Sequence, residues 1–230
     1  MKKIAILQSN YIPWKGYFDL IAMVDEFIIY DQMQYTKNDW RNRNKIKTNK
    51  GVEWLTIPVR VESLYQKINE TKIFDDNWSK KHKATLSTNY GKAKYFNETK
   101  DFVFDLYDQT SKVKFLSEIN YIFIKAISEY LKIDTKITLS TNYNLIDGKT
   151  ERLVDLCLQA KASHYISGPS AKNYIDEELF INQNIKLEWM DYSGYQEYQQ
   201  LFSPFEHGVS ILDLMFNLGD KSREFLKFCK

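Results

Sequence analysis

Short apolar runs recur along the chain at residues 4–7, 27–30, 54–59, 137–139, 164–166 and 185–190. Each has the length and the Ile, Val and aromatic content of a buried strand. Between several of them the apolar spacing changes to that of a helix. Phe18, Ile21 and Val24 share one face, as do Leu116, Ile119, Phe123, Ala126 and Tyr130, and again Leu153, Leu156, Cys157 and Ala160. Strands alternating with helices predict an α/β fold: a mostly parallel sheet with helices on both faces, in the Rossmann manner. One domain over residues 1–230 is expected. Residues 60–132 are richer in helical spacing and predict a helical insertion or cap around 76–132. Near the C-terminus, Ser210 with Asp213 reads as a capping-box variant, Gly219 as a helix stop and Asp220 as the cap of a last short helix.

Composition narrows the class. The chain has 230 residues, 43% hydrophobic and 27% charged, enough for a core that needs no staples. A formal net charge of +2 is too balanced to argue for DNA. Cys157 and Cys229 form neither a disulfide framework nor a metal motif. Cys157 is expected to be a buried small hydrophobe, and no His/Cys/Asp cluster has metal-ligand spacing. The apolar stretch behind Met1-Lys2-Lys3 is too short for a secretory signal, and nothing approaches membrane-spanning length, so a cytoplasmic protein is expected.

Two segments carry candidate chemistry. The first, Gln8 to Gly16, leaves the first strand and enters the first helix, where ligands bind in open α/β sheets. It holds Gln8, Asn10, Tyr11 and Trp14, and Gly16 would let backbone N–H groups approach an anion. The alternative is that Tyr11, Pro13 and Trp14 fold the loop back onto the sheet. The second segment, Tyr30 to Gly51, follows the second strand. It reads as a loop in which Lys37, Arg41, Arg43, Lys45, Lys47 and Lys50 meet a single acid from residue 37 onward, Asp39. Gln34, Tyr35, Trp40, Asn42 and Asn44 are interleaved. Guanidinium forks suit phosphate oxygens, and a tryptophan among them suits a base or sugar. A third strand-end loop, Ser167-Gly168-Pro169-Ser170 followed by Lys172, would hold phosphate or carboxylate, although its glycine spacing is not that of a P-loop. Asp147 in Asp147-Gly148-Lys149-Thr150 reads as a plain helix N-cap.

The segments "QSNYIPWKGYFDLI", "VDEFIIYDQMQYTKNDWRNRNKIKT" and "WLTIPV" together resemble the N-terminal signature of the WbqC-like protein family. The likeness continues through "NWSKKHKATLSTNY", "HYISGPSAKNYI" and "FSPFEHGVSILDLMFNLG", nearly the whole chain. The resemblance implies an association with bacterial surface-polysaccharide and O-antigen gene clusters, and a glycine transferase role on a sugar.

Residues and resemblance meet in a transferase that acylates or aminoacylates a nucleotide-linked amino sugar. Arg43 and Lys45 would grip the pyrophosphate, Trp40 or Trp14 would stack, and Gln8, Asn10 and Asp31 would fix hydroxyls. The acyl or aminoacyl donor stays open between aminoacyl-tRNA, acyl-CoA and free glycine with ATP, and no cofactor is expected. Transfer to an amine needs a base. The candidates are His82, which its lysine neighbours should keep neutral, Asp31 at the end of the second strand, and His207 oriented by Glu206. His164 opens a strand and reads as structural. Two other classes stay open: a nucleotide-using enzyme such as a nucleotidyltransferase, which lacks its paired-histidine motif here, and a non-catalytic sugar-nucleotide or glycan binder.

Overall fold

The computed structural model describes residues 1–229. Its centre is a five-stranded, all-parallel sheet of β1 (Lys3–Leu7), β2 (Glu26–Ile29), β7 (Lys136–Leu139), β8 (His164–Ser167) and β9 (Lys186–Trp189). In space they lie β7-β2-β1-β8-β9. Taken in chain order as five strands this is 3-2-1-4-5, the Rossmann-like arrangement. Five of the six apolar runs supply these strands. The inner strands β1 and β2 carry the unbroken apolar stretches Ile4–Leu7 and Phe27–Ile29 because both their faces are covered, whereas the edge strand β9 alternates Lys186 and Glu188 with Leu187 and Trp189.

Alternate residues serve the two faces. Ile4, Ile6, Ile28 and Tyr165 pack with Leu153, Leu156 and Cys157 of α5 (Thr150–Gln159) and Phe180 of α6 (Glu177–Asn182). Ala5, Phe27, Ile29 and Ile166 face a larger core. That core is built by α1 (Lys15–Ala22), α4 (Leu116–Tyr130) and α7 (Ile211–Leu218), with α2 (Trp78–Tyr90) and α3 (Phe96–Thr110). The helices α2, α3 and α4 are consecutive, where helical spacing predicts an insertion. Cys157 is fully buried, and burial pushes its thiol up to about 12.

Five local expectations are corrected. The run at 54–59 does not join the parallel sheet. Its first part lies in β4 (Gly51–Thr56), which pairs antiparallel with β3 (Arg43–Thr48) through a turn that Gly51 completes at φ +108°. The basic segment is therefore half a hairpin. Its period-2 pattern is masked because only Ile46 among its inward residues is apolar. A second two-stranded ribbon pairs β5 (Val59–Arg60) with β6 (Lys72–Ile73). Asp147 is fully exposed and caps nothing; Lys149 occupies the N-cap position of α5. Ser210 does cap α7 through Leu212 N, but Asp213 completes no capping box. It is buried and accepts from the hydroxyls of Tyr90 at 3.0 Å and Tyr198 at 2.7 Å. Gly219 ends α7 at φ +56°, and the 3-10 turn that follows starts from Leu218 with no side-chain cap from Asp220.

Candidate functional site

Strand order reverses between β1 and β8, so the loops leaving their carboxyl ends diverge and open a crevice. A cavity of about 470 Å³ occupies that point. Leu7 and Gln8 reach it from β1, Tyr30 from the end of β2, Ser167, Gly168 and Ser170 from the end of β8, and Lys149 and Arg152 from the start of α5. Tyr165, Tyr174 and Tyr192 complete its walls, and no carboxylate or imidazole lines it. A Cβ on Gly168 would meet only the Tyr192 hydroxyl, at 4.0 Å, so the backbone there is open to a ligand.

The charged groups lining this cavity are the cations Lys149 and Arg152. Arg152 donates through Nε to the Ile146 carbonyl and through Nη1 to the Tyr30 hydroxyl at 3.3 Å. Its nearest carboxylate is that of the solvent-exposed Asp147, at 3.7 Å, a pair that water screens strongly. A phosphate entering the crevice competes easily with such a partner. Burial raises the phenols of Tyr30 and Tyr192, the latter to about 12, so both remain hydrogen-bond donors at neutral pH.

A second, smaller cavity of about 260 Å³ lies on the other side of the first loop, lined by Asn10, Trp14, Trp40, Asn44 and Gly208. The Trp14 ring separates the two spaces: it lines the second and packs 5.2 Å from Tyr192, which lines the first. A Cβ on Gly16 would lie 2.3 Å from the Trp14 indole, so the space above the helix start is filled by that ring rather than left for an anion.

The other predicted residues of the first loop hold it in place. Tyr11 is buried; its hydroxyl donates to His82 Nδ1 at 2.9 Å and accepts from Tyr107 at 2.7 Å. His82 Nε2 donates to the Thr56 carbonyl at 3.0 Å, which fixes the tautomer. Burial brings the His82 imidazole down to about 4. With both nitrogens engaged, His82 faces neither cavity. Asp31 is likewise buried, accepting from Ser9 N at 2.8 Å, from the Ser9 hydroxyl at 2.6 Å and from the Ser117 hydroxyl. Burial raises its carboxyl above the usual range.

The basic segment divides. Arg41 turns inward to the Ser9 carbonyl at 3.2 Å and to the Asn10 side chain. Lys47 is buried against the Pro204 carbonyl, and Asn42 and Tyr35 bond each other at 2.9 Å inside the hairpin base. Asn44 donates to the carbonyls of Tyr11 and Ile12. Arg43 and Lys45 lie against the Trp54 ring on the outer hairpin face and do not line the switch-point cavity, and Gln34 donates to the Leu64 carbonyl. Lys172 sits on the turn that follows Gly168, its ammonium 5.6 Å from the Trp189 ring. His207 packs on Phe205 at 4.6 Å, while Glu206 accepts from Gly208 N instead of orienting it. His164 opens β8 and contacts the Ser163 hydroxyl.

Sequence reasoning missed Lys149, Arg152 and Tyr192 as site residues. The fragment Asp147-Gly148-Lys149-Thr150 carries the signal for the first two, since it follows a strand and starts a helix. It also missed Lys15, whose buried ammonium lies 5.0 Å from the Tyr195 ring and 5.3 Å from that of Tyr198, and donates to the Gln196 carbonyl. Burial lowers it to about 8, and it ties the irregular strap 191–209 to α1. Among the described residues no group of three His, Cys, Asp or Glu could hold a metal ion, and no helix is long and apolar enough to cross a membrane.

The chain matches the WbqC-like protein family over residues 8–225. It is 52% identical over 231 residues to a Mycobacterium tuberculosis (strain ATCC 25618 / H37Rv) protein named "Uncharacterized protein Rv1507c", covering 100% of both chains. No solved structure matches it. The resemblance read from the loop and hairpin segments thus extends over almost the full length, and the chain belongs to the WbqC-like protein family.

Proposed function

We propose that the switch-point cavity binds a nucleotide-linked amino sugar and that the protein is the transferase that acylates or aminoacylates it in the cytoplasm, glycyl transfer included, during bacterial surface-polysaccharide (O-antigen) assembly. The observation that carries this reading is the convergence of Lys149 and Arg152 with Gln8 and Ser167 in a crevice free of carboxylates. A diphosphate needs a guanidinium fork and point charge, and the sugar needs neutral donors and acceptors. The tyrosine walls offer both flat surface and hydroxyl donors. Those same donors suit the oxyanion that forms when an amine attacks an ester or thioester carbonyl. In that step the new C–N bond replaces the C–O or C–S bond of the donor, and the amine proton leaves with the departing oxygen or sulfur.

A second reading, a non-catalytic sugar-nucleotide binder, is favoured by one observation: neither Asp31, His82 nor His207 lines the cavity. Incubation with nucleotide-linked amino sugars and each donor class, followed by mass spectrometry, separates the two. The transferase reading expects an acyl or aminoacyl mass added to the sugar. Binding without any adduct leaves the binder, and neither binding nor adduct overturns both.

A further inference from the structure

The β3–β4 hairpin sends Ile46 and Leu55 into the core and turns Lys45 and Trp54 outward; Lys47 shares their face but is buried against the Pro204 carbonyl. Its register sets Lys45 opposite Trp54, and period-2 alternation puts Arg43 and Val52 on that same outer face while Ile46 and Leu55 enter the core. Trp54 is 43% exposed and Trp40, at the rim, 38%. Two tryptophans in mutual contact at such exposure are unusual on a protein surface. Their rings lie 5.1 Å apart. The Arg43 guanidinium stacks 4.0 Å over Trp54, and the Lys45 ammonium is 5.6 Å from both rings. The nearby Asp39 pairs with Arg41 instead, so this face keeps its positive charge.

Behind Trp40 the aromatic surface continues inward. Trp40 and Trp14 share the smaller cavity, and Trp14 touches Tyr192 at the wall of the switch-point cavity. Four rings, Trp54, Trp40, Trp14 and Tyr192, thus lead from the outer hairpin face to the crevice. The Asn10 amide accepts from Arg41 through its oxygen, which leaves its NH₂ group for a hydroxyl in the smaller cavity.

We propose that this track binds the unpaired end of an RNA strand. Successive flat rings beside arginine and lysine match what a single strand offers: bases that stack on any aromatic face or guanidinium plane, and phosphates at regular intervals. A duplex hides its base faces, and a neutral glycan makes no use of Arg43 and Lys45. The chain's net charge is only +2, so attraction is local to the hairpin. The binding stands by itself. Its role as delivery of an aminoacyl group to the switch point rests on the transferase reading above.

The test is fluorescence anisotropy with a short labelled single-stranded RNA. Saturable binding that weakens with salt is expected. Trp54→Ala should weaken it about 5- to 150-fold, the worth of one stacked base, and Lys45→Ala should weaken it and flatten its salt dependence, the mark of a lost phosphate contact. Both side chains are partly solvent-exposed, so thermal melts of the variants should match the parent. Arg152→Ala should leave RNA binding unchanged, and Trp54→Ala should leave nucleotide-sugar binding unchanged, which separates failure here from failure of the proposed function. Absence of binding, indifference to both hairpin variants, or equal binding of the duplex overturns the proposal. Quenching of tryptophan emission by a neutral oligosaccharide with no response to RNA assigns the track to a glycan instead and overturns it too.

Discussion

The Trp14 indole lies over Gly16 so closely that a Cβ there would stand 2.3 Å from a ring carbon. The glycine that reads as an anion-binding device is instead the floor on which the wall between two cavities rests. Gly16→Ala should therefore force Trp14 away from Tyr192 and Tyr195. The expected cost is about 1–3 kcal/mol, the range for overpacking a filled site. Chemical denaturation checks it, with a shift in tryptophan emission as the second readout; unchanged stability and emission would show that the ring yields freely.

His82 gives the fold an acid-sensitive point. Its imidazole is held at about 4 by burial, below the ordinary 6.5, so the folded state keeps it neutral while the unfolded chain takes up a proton. Stability from this group is complete above about pH 6.5 and declines as pH falls toward 4, by on the order of 3 kcal/mol in all. His82→Gln should flatten that part of the stability–pH curve and lower stability at pH 7 by about 1–3 kcal/mol, since the Tyr11 and Thr56 partners are imperfectly matched. Ligand binding at the switch point should persist. A parallel curve in wild type and variant, from urea unfolding at several pH values, would contradict the assignment.

Asp31 should behave as a structural acceptor as well. Asp31→Ala strands the Ser9 amide and two hydroxyls in a buried site, and each stranded donor costs about 1–3 kcal/mol. Any loss of activity should then track a loss of melting temperature. Full stability with activity abolished would return Asp31 to the chemistry.

The parallel strands were legible because burial on both faces leaves continuous apolar runs such as Phe27 to Ile29. The strand β3 was not, because its inward Asn44 is satisfied by the Tyr11 and Ile12 carbonyls, partners far away in sequence. The same non-locality hid the division of the first loop. Gln8, Asn10 and Trp14 reach cavities, while Tyr11 is drawn inward by a histidine on α2. Arg152 looked like any charge on a helix surface, since only the reversal of strand order between β1 and β8 turns its end of α5 toward a crevice. Arg43 and Lys45 were visible as chemistry but sit on the hairpin, whose direction no local pattern reports.

Lys149→Ala tests whether the crevice uses point charge as well as the fork. It should weaken binding of a nucleotide-linked sugar less than loss of Arg152 does, because lysine offers no bidentate geometry. Competition with the free nucleoside diphosphate checks this; equal or larger loss at Lys149 would move the phosphate toward the mouth of the cavity.

The central claim is tested most directly by isothermal titration calorimetry of nucleotide-linked amino sugars into the wild-type protein and Arg152→Ala. The account predicts saturable one-site binding to wild type, weakened by about 1.5–3 kcal/mol in the variant, with the melting temperature kept. No binding heat for any such sugar, or equal affinity in the two proteins, would contradict it.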